Sequence, residues 1–260
     1  MSARPLVVIT GASSGIGQAL ALRYHRAGWR LALVARRGDE LRGWAANQGL
    51  SADTLAVYAA DVRDVASITG AGRACIAAQG LPDVVIANAG ISIGVDTADL
   101  ADLAVMQATF ETNLIGMAAT FQPFVAAMRQ RGSGVLVGIA SVAGIRGLPG
   151  HGAYCASKAA VISYCESLRG ECRPFGIKVV TLVPGYVDTP LTRRNRYAMP
   201  FLLSAEAFAD RAFTHISAGR RYRVIPWQMG AVAALMRVLP TWLFDRLFAG
   251  RPRKRRRNEG

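Results

Sequence analysis

The feature that most restricts this chain is a repeat of short runs rich in Val, Ile and Leu between longer segments with helical periodicity. The runs lie at Leu6–Thr10, Arg30–Ala35, Thr54–Ala60, Asp83–Ala87, Gly134–Ala140 and Lys178–Val183, and a weaker seventh at Tyr222–Ile225 closes the series. They are too apolar to be strands with one wet face, so each reads as a strand buried on both sides. Helices are expected near 15–28, 38–47, 64–79, 99–130, 152–173 and 204–218, several ended by Gly. Repeated βαβ units of this kind predict an α/β fold, a doubly wound, mostly parallel seven-stranded sheet flanked by helices on both faces. In such sheets ligands bind beyond the carboxyl ends of the strands, where strand order reverses.

The chain has 260 residues, 52% of them hydrophobic and 18% charged, enough to bury a core. With no Pro/Ser-rich linker and no internal repeat, residues 1–250 read as one domain and 251–260 as a basic disordered tail. The net charge of +14 comes from 31 Lys and Arg against 17 Asp and Glu, and six of the cations fall within Arg251–Arg257. Such a balance attracts phosphate-bearing partners without choosing among dinucleotide, nucleic acid and anionic lipid. Cys75, Cys155, Cys165 and Cys172 lack metal-ligand spacing and read as reduced thiols, with Cys155 serving packing. No signal peptide and no apolar run long enough to span a bilayer is seen, so a cytoplasmic location is the expectation.

Thr10-Gly11-Ala12-Ser13-Ser14-Gly15-Ile16-Gly17 follows the first strand and opens the first helix. Glycines there let the backbone turn tightly against a pyrophosphate, and the helix start offers free N–H groups and a positive dipole end. The second strand ends Val34-Ala35-Arg36-Arg37, with no carboxylate for a free ribose hydroxyl and two guanidiniums that suit a 2′-phosphate, so NADP(H) is favoured over NAD(H). Tyr154 and Lys158 stand four residues apart, on one face of a helix, where the ammonium is expected to lower the phenol pKa.

The TGxxxGxG spacing makes the chain resemble the short-chain dehydrogenase/reductase family, whose fold is Rossmann-like. The likeness recurs at Asp61-Val62, Asn88-Ala89-Gly90, Asn113, Ser141 and Pro184-Gly185-Tyr186-Val187-Asp188-Thr189, and covers roughly residues 5 to 190. Ser141 precedes Tyr154 by 13 residues, as the family's catalytic serine does. The resemblance implies a catalytic tetrad. Ser141 would bind the substrate oxygen, Tyr154 act as general acid or base, Lys158 also bind the nicotinamide ribose, and Asn113 support a water leading to Lys158. It implies cofactor contacts from Gly11, Ser13, Ser14, Gly15, Ile16 and Gly17 in the turn, Arg36 and Arg37, Asp61 and Val62 beside the adenine, and Asn88, Ala89 and Gly90. Tyr154, Lys158, Pro184, Gly185, Val187 and Thr189 complete that set, with no metal. NADP-using members often carry a basic residue inside the turn, where this chain has Ser14.

The implied activity is an NADPH-dependent carbonyl reductase or alcohol dehydrogenase, assembled as a homodimer or homotetramer. About 190–220 is the expected substrate-binding segment. Its apolar residues, among them Tyr197, Met199, Phe201, Phe208 and Phe213, suit an apolar or lipid-like substrate or simply a core-facing helix. His25 and His151 are read as having no special role; His151, three residues before Tyr154, reads as a surface-loop residue that could instead line the substrate pocket. Within 226–250, Trp242, Phe244, Leu247 and Phe248 precede the cationic block, so peripheral contact with the inner face of the membrane stands beside packing on the domain or a partner subunit. The rival function is a non-catalytic dinucleotide sensor or scaffold with a nucleic-acid- or membrane-binding tail. A sensor is expected to lack the Tyr and Lys, and a nucleic-acid role is disfavoured because no reader motif appears.

Overall fold

The first apolar run becomes the middle of the sheet. β1 (Leu6–Thr10) pairs with β2 (Arg30–Ala35) on one side and β4 (Val84–Ala87) on the other. β3 (Leu55–Ala59) continues beyond β2, while β5 (Gly134–Ile139), β6 (Ile177–Pro184) and β7 (Tyr222–Ile225) continue beyond β4. The order β3-β2-β1-β4-β5-β6-β7 is parallel at every pairing. The computed structural model describes residues 4–51, 53–193, 195, 197–250 and 253–257. The expected doubly wound α/β architecture is present, and strand order reverses at β1 and β4.

Burial explains why these runs are strands. All of β1 and β4 is buried, whereas the edge strands β3 and β7 are mostly half-buried or exposed. Side chains alternate between two cores, Leu6 and Val8 entering one, Val7 and Ile9 the other. The first core is covered by α3 (Val65–Gln79), α5 (Gly116–Arg131) and α6 (Gly152–Cys172) through Ile68, Phe121, Phe124 and Val161. On the other face α1 (Gly15–Arg26), α2 (Gly38–Asn47) and α7 (Ala205–Ser217) contribute Leu20, Leu41 and Phe208. Phe208 and Phe213 therefore serve packing, Phe213 lying edge-on to Tyr24.

The segment expected as one helix over 99–130 is divided. α4 spans Asp102–Phe110, a π-helical turn follows at Glu111–Ile115, and α5 continues from Gly116. Asp96 and Asp99 bind the N–H groups of Ala98 and Ala101, which holds the chain in turns before α4 begins. The wider π turn coincides with Asn113, whose side chain is drawn to the Ile91 peptide.

After β7, α8 (Trp227–Val238) and α9 (Thr241–Phe248) lie beside the loop that follows β5. Arg146 in that loop donates to the carbonyls of Leu239, at 2.8 Å, and Met236, and stacks 3.9 Å from the Phe244 ring centroid. Phe244 is buried, while Trp242 and Leu247 are exposed. Among the described residues no helix is long and apolar enough to cross a membrane.

Residues 253–257, expected within a disordered tail, instead lie against the domain. The Arg256 guanidinium bonds the Asp102 carboxylate at 2.7 Å and also that of Asp99, and the Gly94 N–H donates to the Arg255 carbonyl at 2.9 Å. A buried carboxylate needs a counter-charge, and Asp102, only 4% exposed, obtains it from Arg256. Arg251, Pro252 and residues 258–260 lie outside the described residues.

This packing makes the central strands the least tolerant part of the molecule. Ile86 is fully buried in β4, so Ile86→Ala should lower the unfolding free energy by about 2 to 5 kcal/mol. Tyr222→Ala on the exposed edge should change it by less than about 1 kcal/mol. Urea unfolding followed by circular dichroism measures both.

Candidate active site

The site begins where β1 and β4 part. Thr10 Oγ1 accepts from the N–H groups of Asn88 and Ala89 at 3.1 and 3.3 Å, while Asn88 Nδ2 donates to the carbonyls of Thr10 and Gly11 at 3.0 and 3.3 Å. These bonds fasten the Gly-rich turn to the end of the neighbouring strand. Gly11 has φ +65°, and a side chain there would meet the Ala89 backbone at 2.7 Å. At Gly17 a side chain would overlap the Gly11 carbonyl and lie 2.9 Å from Ala12 Cα. Only glycine fits either position.

The turn leads into a helix start that is open to an anion. Ser14, at the N-cap of α1, makes no side-chain cap bond, and the first turn holds no acidic residue. The free N–H groups and the dipole end are thus left for a ligand. A cavity of about 300 Å³ lies over this start and runs across the carboxyl ends of the strands. Ser13, Ser14, Gly15 and Ile16 line it from the turn, Arg36 and Arg37 from the end of β2, and Asp61 and Val62 from beyond β3. Asn88, Ala89 and Gly90 follow β4, Ser141 follows β5, and Pro184, Gly185, Val187 and Thr189 close the far side. Gly17 and Asn113 are not on the wall; both support it from behind.

Charge is distributed unevenly along the cleft. Arg37 pairs with Glu40 at 2.9 Å, whereas Arg36 has no ion-pair partner among the described residues. Arg63, a wall residue that the motif reading missed, holds Asp61 through bonds of 2.8 and 3.2 Å. Those bonds keep the Asp61 carboxyl below the ordinary carboxylate range. Ile91, Thr112 and Thr192 also line the cleft and were not anticipated. Each is near a recognised motif, but nothing in its own residue type marks it.

The four candidate catalytic residues converge at the end of β5. Lys158 is buried, and its Nζ donates to the Ile139 carbonyl at 2.8 Å and stands 5.9 Å from the Tyr154 ring centroid. Burial pulls the Lys158 pKa down to about 8. Burial also pushes the Tyr154 phenol above its ordinary value, opposed by a hydrogen bond with Ser141. The expectation that the ammonium lowers the Tyr154 pKa is therefore not met, because burial sets the direction of the shift and Lys158 is directed to the Ile139 carbonyl. Asn113 accepts from the Ile91 N–H at 2.8 Å and donates to the Ile91 carbonyl at 3.0 Å and Ser157 Oγ at 2.9 Å. Ser157 in turn donates to the Tyr154 carbonyl at 2.8 Å, so the π turn is tied to the helix that carries Tyr154 and Lys158.

His151 is not the surface-loop residue expected. It is 8% exposed, one residue before α6, with Nδ1 3.1 Å from the Pro149 carbonyl and Nε2 3.3 Å from the Tyr197 hydroxyl. The carbonyl can only accept, so Nδ1 carries the proton and Nε2 accepts from Tyr197. Burial lowers the His151 pKa and favours this neutral form. Tyr197 lies within electrostatic reach of Tyr154, and its own pKa is raised chiefly by burial.

Comparison with known proteins agrees with this geometry. The family model for short chain dehydrogenases matches residues 5–199. An uncharacterized oxidoreductase of Myxococcus xanthus is 36% identical over 238 residues, covering 92% of this chain and 94% of that protein. A short chain dehydrogenase/reductase from Burkholderia phymatum, solved in complex with NAD, has a TM-score of 0.80 and 25% identity over 90% of this chain and 92% of its own. A Sphingobium yanoikuyae short-chain dehydrogenase in complex with NADPH has a TM-score of 0.76 and 26% identity, covering 91% and 97%. The chain belongs to the short-chain dehydrogenase/reductase family, a family of oxidoreductases that bind nicotinamide dinucleotides.

The crowding at Gly17 gives a direct test of the turn. Gly17→Ala should weaken dinucleotide binding by about tenfold or more, equivalent to roughly 1.4 kcal/mol, because the turn must shift away from the Gly11 carbonyl. Titration of cofactor fluorescence, with circular dichroism to establish folding, checks it.

Proposed function

We propose that the protein is an NADPH-preferring carbonyl reductase, able to run in reverse as an alcohol dehydrogenase. The observation that carries this reading is the convergence of Ser141, Tyr154 and Lys158 at one part of a cleft whose β2 end presents Arg36 and no carboxylate. The glycine-shaped turn and the uncapped start of α1 suit a pyrophosphate, so residues 11–16 would hold that part of the dinucleotide. Arg36 would meet a 2′-phosphate, Asp61 and Val62 the adenine, and Asn88 to Gly90 with Pro184, Gly185, Val187 and Thr189 the remainder. When bound, the nicotinamide supplies the hydride to a carbonyl carbon or takes one from an alcohol.

The protein's own groups manage the oxygen. Ser141 and Tyr154 offer hydroxyls to the substrate carbonyl, and Tyr154 donates its proton as alkoxide charge develops. Burial keeps the Tyr154 phenol protonated, the form a reduction consumes. Lys158 lies one helical turn further along and supplies positive charge as phenolate forms. It would also bond the nicotinamide ribose. Asn113 positions this pair through Ile91 and Ser157, and would support the water leading to Lys158. Leu191 on the cleft wall, with Tyr197 and exposed Phe201 and Leu202 nearby in sequence, supports an apolar or lipid-like substrate.

Tyr154→Phe should retain folding and NADPH binding while kcat falls by about 10²- to 10⁴-fold. Wild-type turnover by a folded Phe variant would refute the assignment. Lys158→Ala should lose both rate and cofactor affinity.

Coenzyme choice follows from Arg36. Charge-assisted bonds are worth roughly 1.5 to 3 kcal/mol, so NADPH should bind about tenfold to a hundredfold more tightly than NADH. Arg36→Asp should narrow or reverse that ratio. Equal dissociation constants for the two coenzymes in the unaltered protein would contradict the preference.

A further inference from the structure

We propose that residues 253–257 form a wall of the substrate half of the site and that Lys254 within them selects substrates bearing an anionic group apart from the reacting carbonyl. This rests on the reductase reading and adds a substrate class to it.

Two loops leave the carboxyl ends of β4 and β5 near the catalytic residues, 91–98 and 143–151, and the Val95 N–H joins them by donating to the Gly150 carbonyl at 3.2 Å. The C-terminal segment crosses both. Gly94 donates to the Arg255 carbonyl at 2.9 Å, and the backbone of Lys254 and Arg255 leaves no room for a side chain at Gly94. The side chain of Arg253 occupies the space a side chain at Gly150 would need, its nearest atoms 2.9 to 3.1 Å from that position. Arg256 anchors the segment on Asp99 and Asp102, and Asp102 also accepts from the Asp96 N–H at 2.7 Å. The ion pairs and backbone bonds fix a strap in place beside the catalytic helix.

Lys254 lies in the middle of the strap. Its neighbours Arg253 and Arg255 are exposed, whereas Lys254 is half-buried, and its ammonium acts on the His151 imidazole. His151 accepts from Tyr197, and Tyr197 lies within reach of Tyr154, so the four groups form a path from the strap to the reacting oxygen. No carboxylate faces Lys254 among the described residues. Asp99 and Asp102 are occupied by Arg256, and Asp96 binds the Ala98 N–H. An ammonium half withdrawn from water and facing no carboxylate among the described residues is unfavourable, and burial draws its pKa to about 8, leaving it still mostly charged at neutral pH. A carboxylate or phosphate on the substrate would supply the missing charge. Of the other strap cations, Arg253, Arg255 and Arg257 are exposed and would add little selectivity, and Arg256 is already engaged by Asp99 and Asp102.

The test compares 7-oxooctanoate, whose carboxylate is five methylenes from the ketone, with its neutral methyl ester as probes, using the full chain with NADPH. Unaltered protein should show a KM for the acid about tenfold or more below that for the ester. Lys254→Gln should abolish that difference by raising the KM of the acid, with kcat, ester kinetics and the NADPH dissociation constant within about twofold. Lys254→Arg should preserve it. Calorimetric binding of both probes to the protein–NADPH complex reads recognition independently of turnover. Absence of turnover with both probes would count against the reductase reading, and the calorimetric comparison of Lys254→Gln with the unaltered protein would still decide the inference. Equal preference for the acid in the unaltered protein and Lys254→Gln, or no preference in either, would overturn it.

Discussion

The pairing of β1 with β4 is the constraint on which the rest of the site depends. These strands adjoin in space although three helical crossovers separate them in sequence, and their chains leave the sheet in opposite directions around a common cleft. Thr10 and Asn88 close the gap with four hydrogen bonds, so the Gly-rich turn is held by the neighbouring strand as well as by its own helix. An Asn at position 88 donates to the carbonyls of both Thr10 and Gly11, so one side chain holds the strand end and the start of the turn together. The crowded glycines follow from the same closeness, because Gly11 and Gly17 lie where strand, turn and helix backbones meet.

Electrostatics at the opposite end of the cleft depends on burial more than on pairing. Lys158 is a buried cation that meets a carbonyl in place of a carboxylate, and Tyr154 is a desolvated phenol bonded to Ser141. Desolvation pushes both toward neutrality, Lys158 downward and Tyr154 upward. Neutrality keeps the proton on the phenol before reaction, and charge developing on a substrate oxygen would then meet donors already in place. The π turn contributes by bringing Asn113 to Ile91 and Ser157, which joins the loop after β4 to the helix carrying the reactive pair.

Much of this was legible in the sequence because the responsible signals are local. Runs such as Leu6-Val7-Val8-Ile9 identify buried strands without knowledge of their neighbours, and Gly11, Gly15 and Gly17 mark the turn by spacing. Ser141, Tyr154 and Lys158 were singled out because their mutual spacing resembles the family's, where each residue alone says little, and the fold brings them to one part of the cleft. The features that escaped depend on distant partners. Charge runs usually face water, and Arg256 is anchored because Asp102, 154 residues earlier, is buried beside it and Asp99 stands next to that carboxylate. His151 is sheltered by Tyr197, 46 residues later. The break in the helix expected over 99–130 was hidden for another reason, since one widened turn leaves the apolar pattern on either side intact. The direction of the Tyr154 shift was misjudged because spacing along a helix reports proximity to Lys158 and says nothing of solvent loss.

The central claim is that a carbonyl carbon receives hydride in the cleft lined by Ser141 and Tyr154. Incubating the protein with a ketone and NADPH deuterated at the transferable position of the nicotinamide, then analysing the alcohol by mass spectrometry and NMR, tests this most directly. The expected product carries deuterium on the carbinol carbon, and Tyr154→Phe forms it far more slowly despite binding NADPH. Alcohol formed without the label, or at the same rate by the Phe variant, would contradict the account.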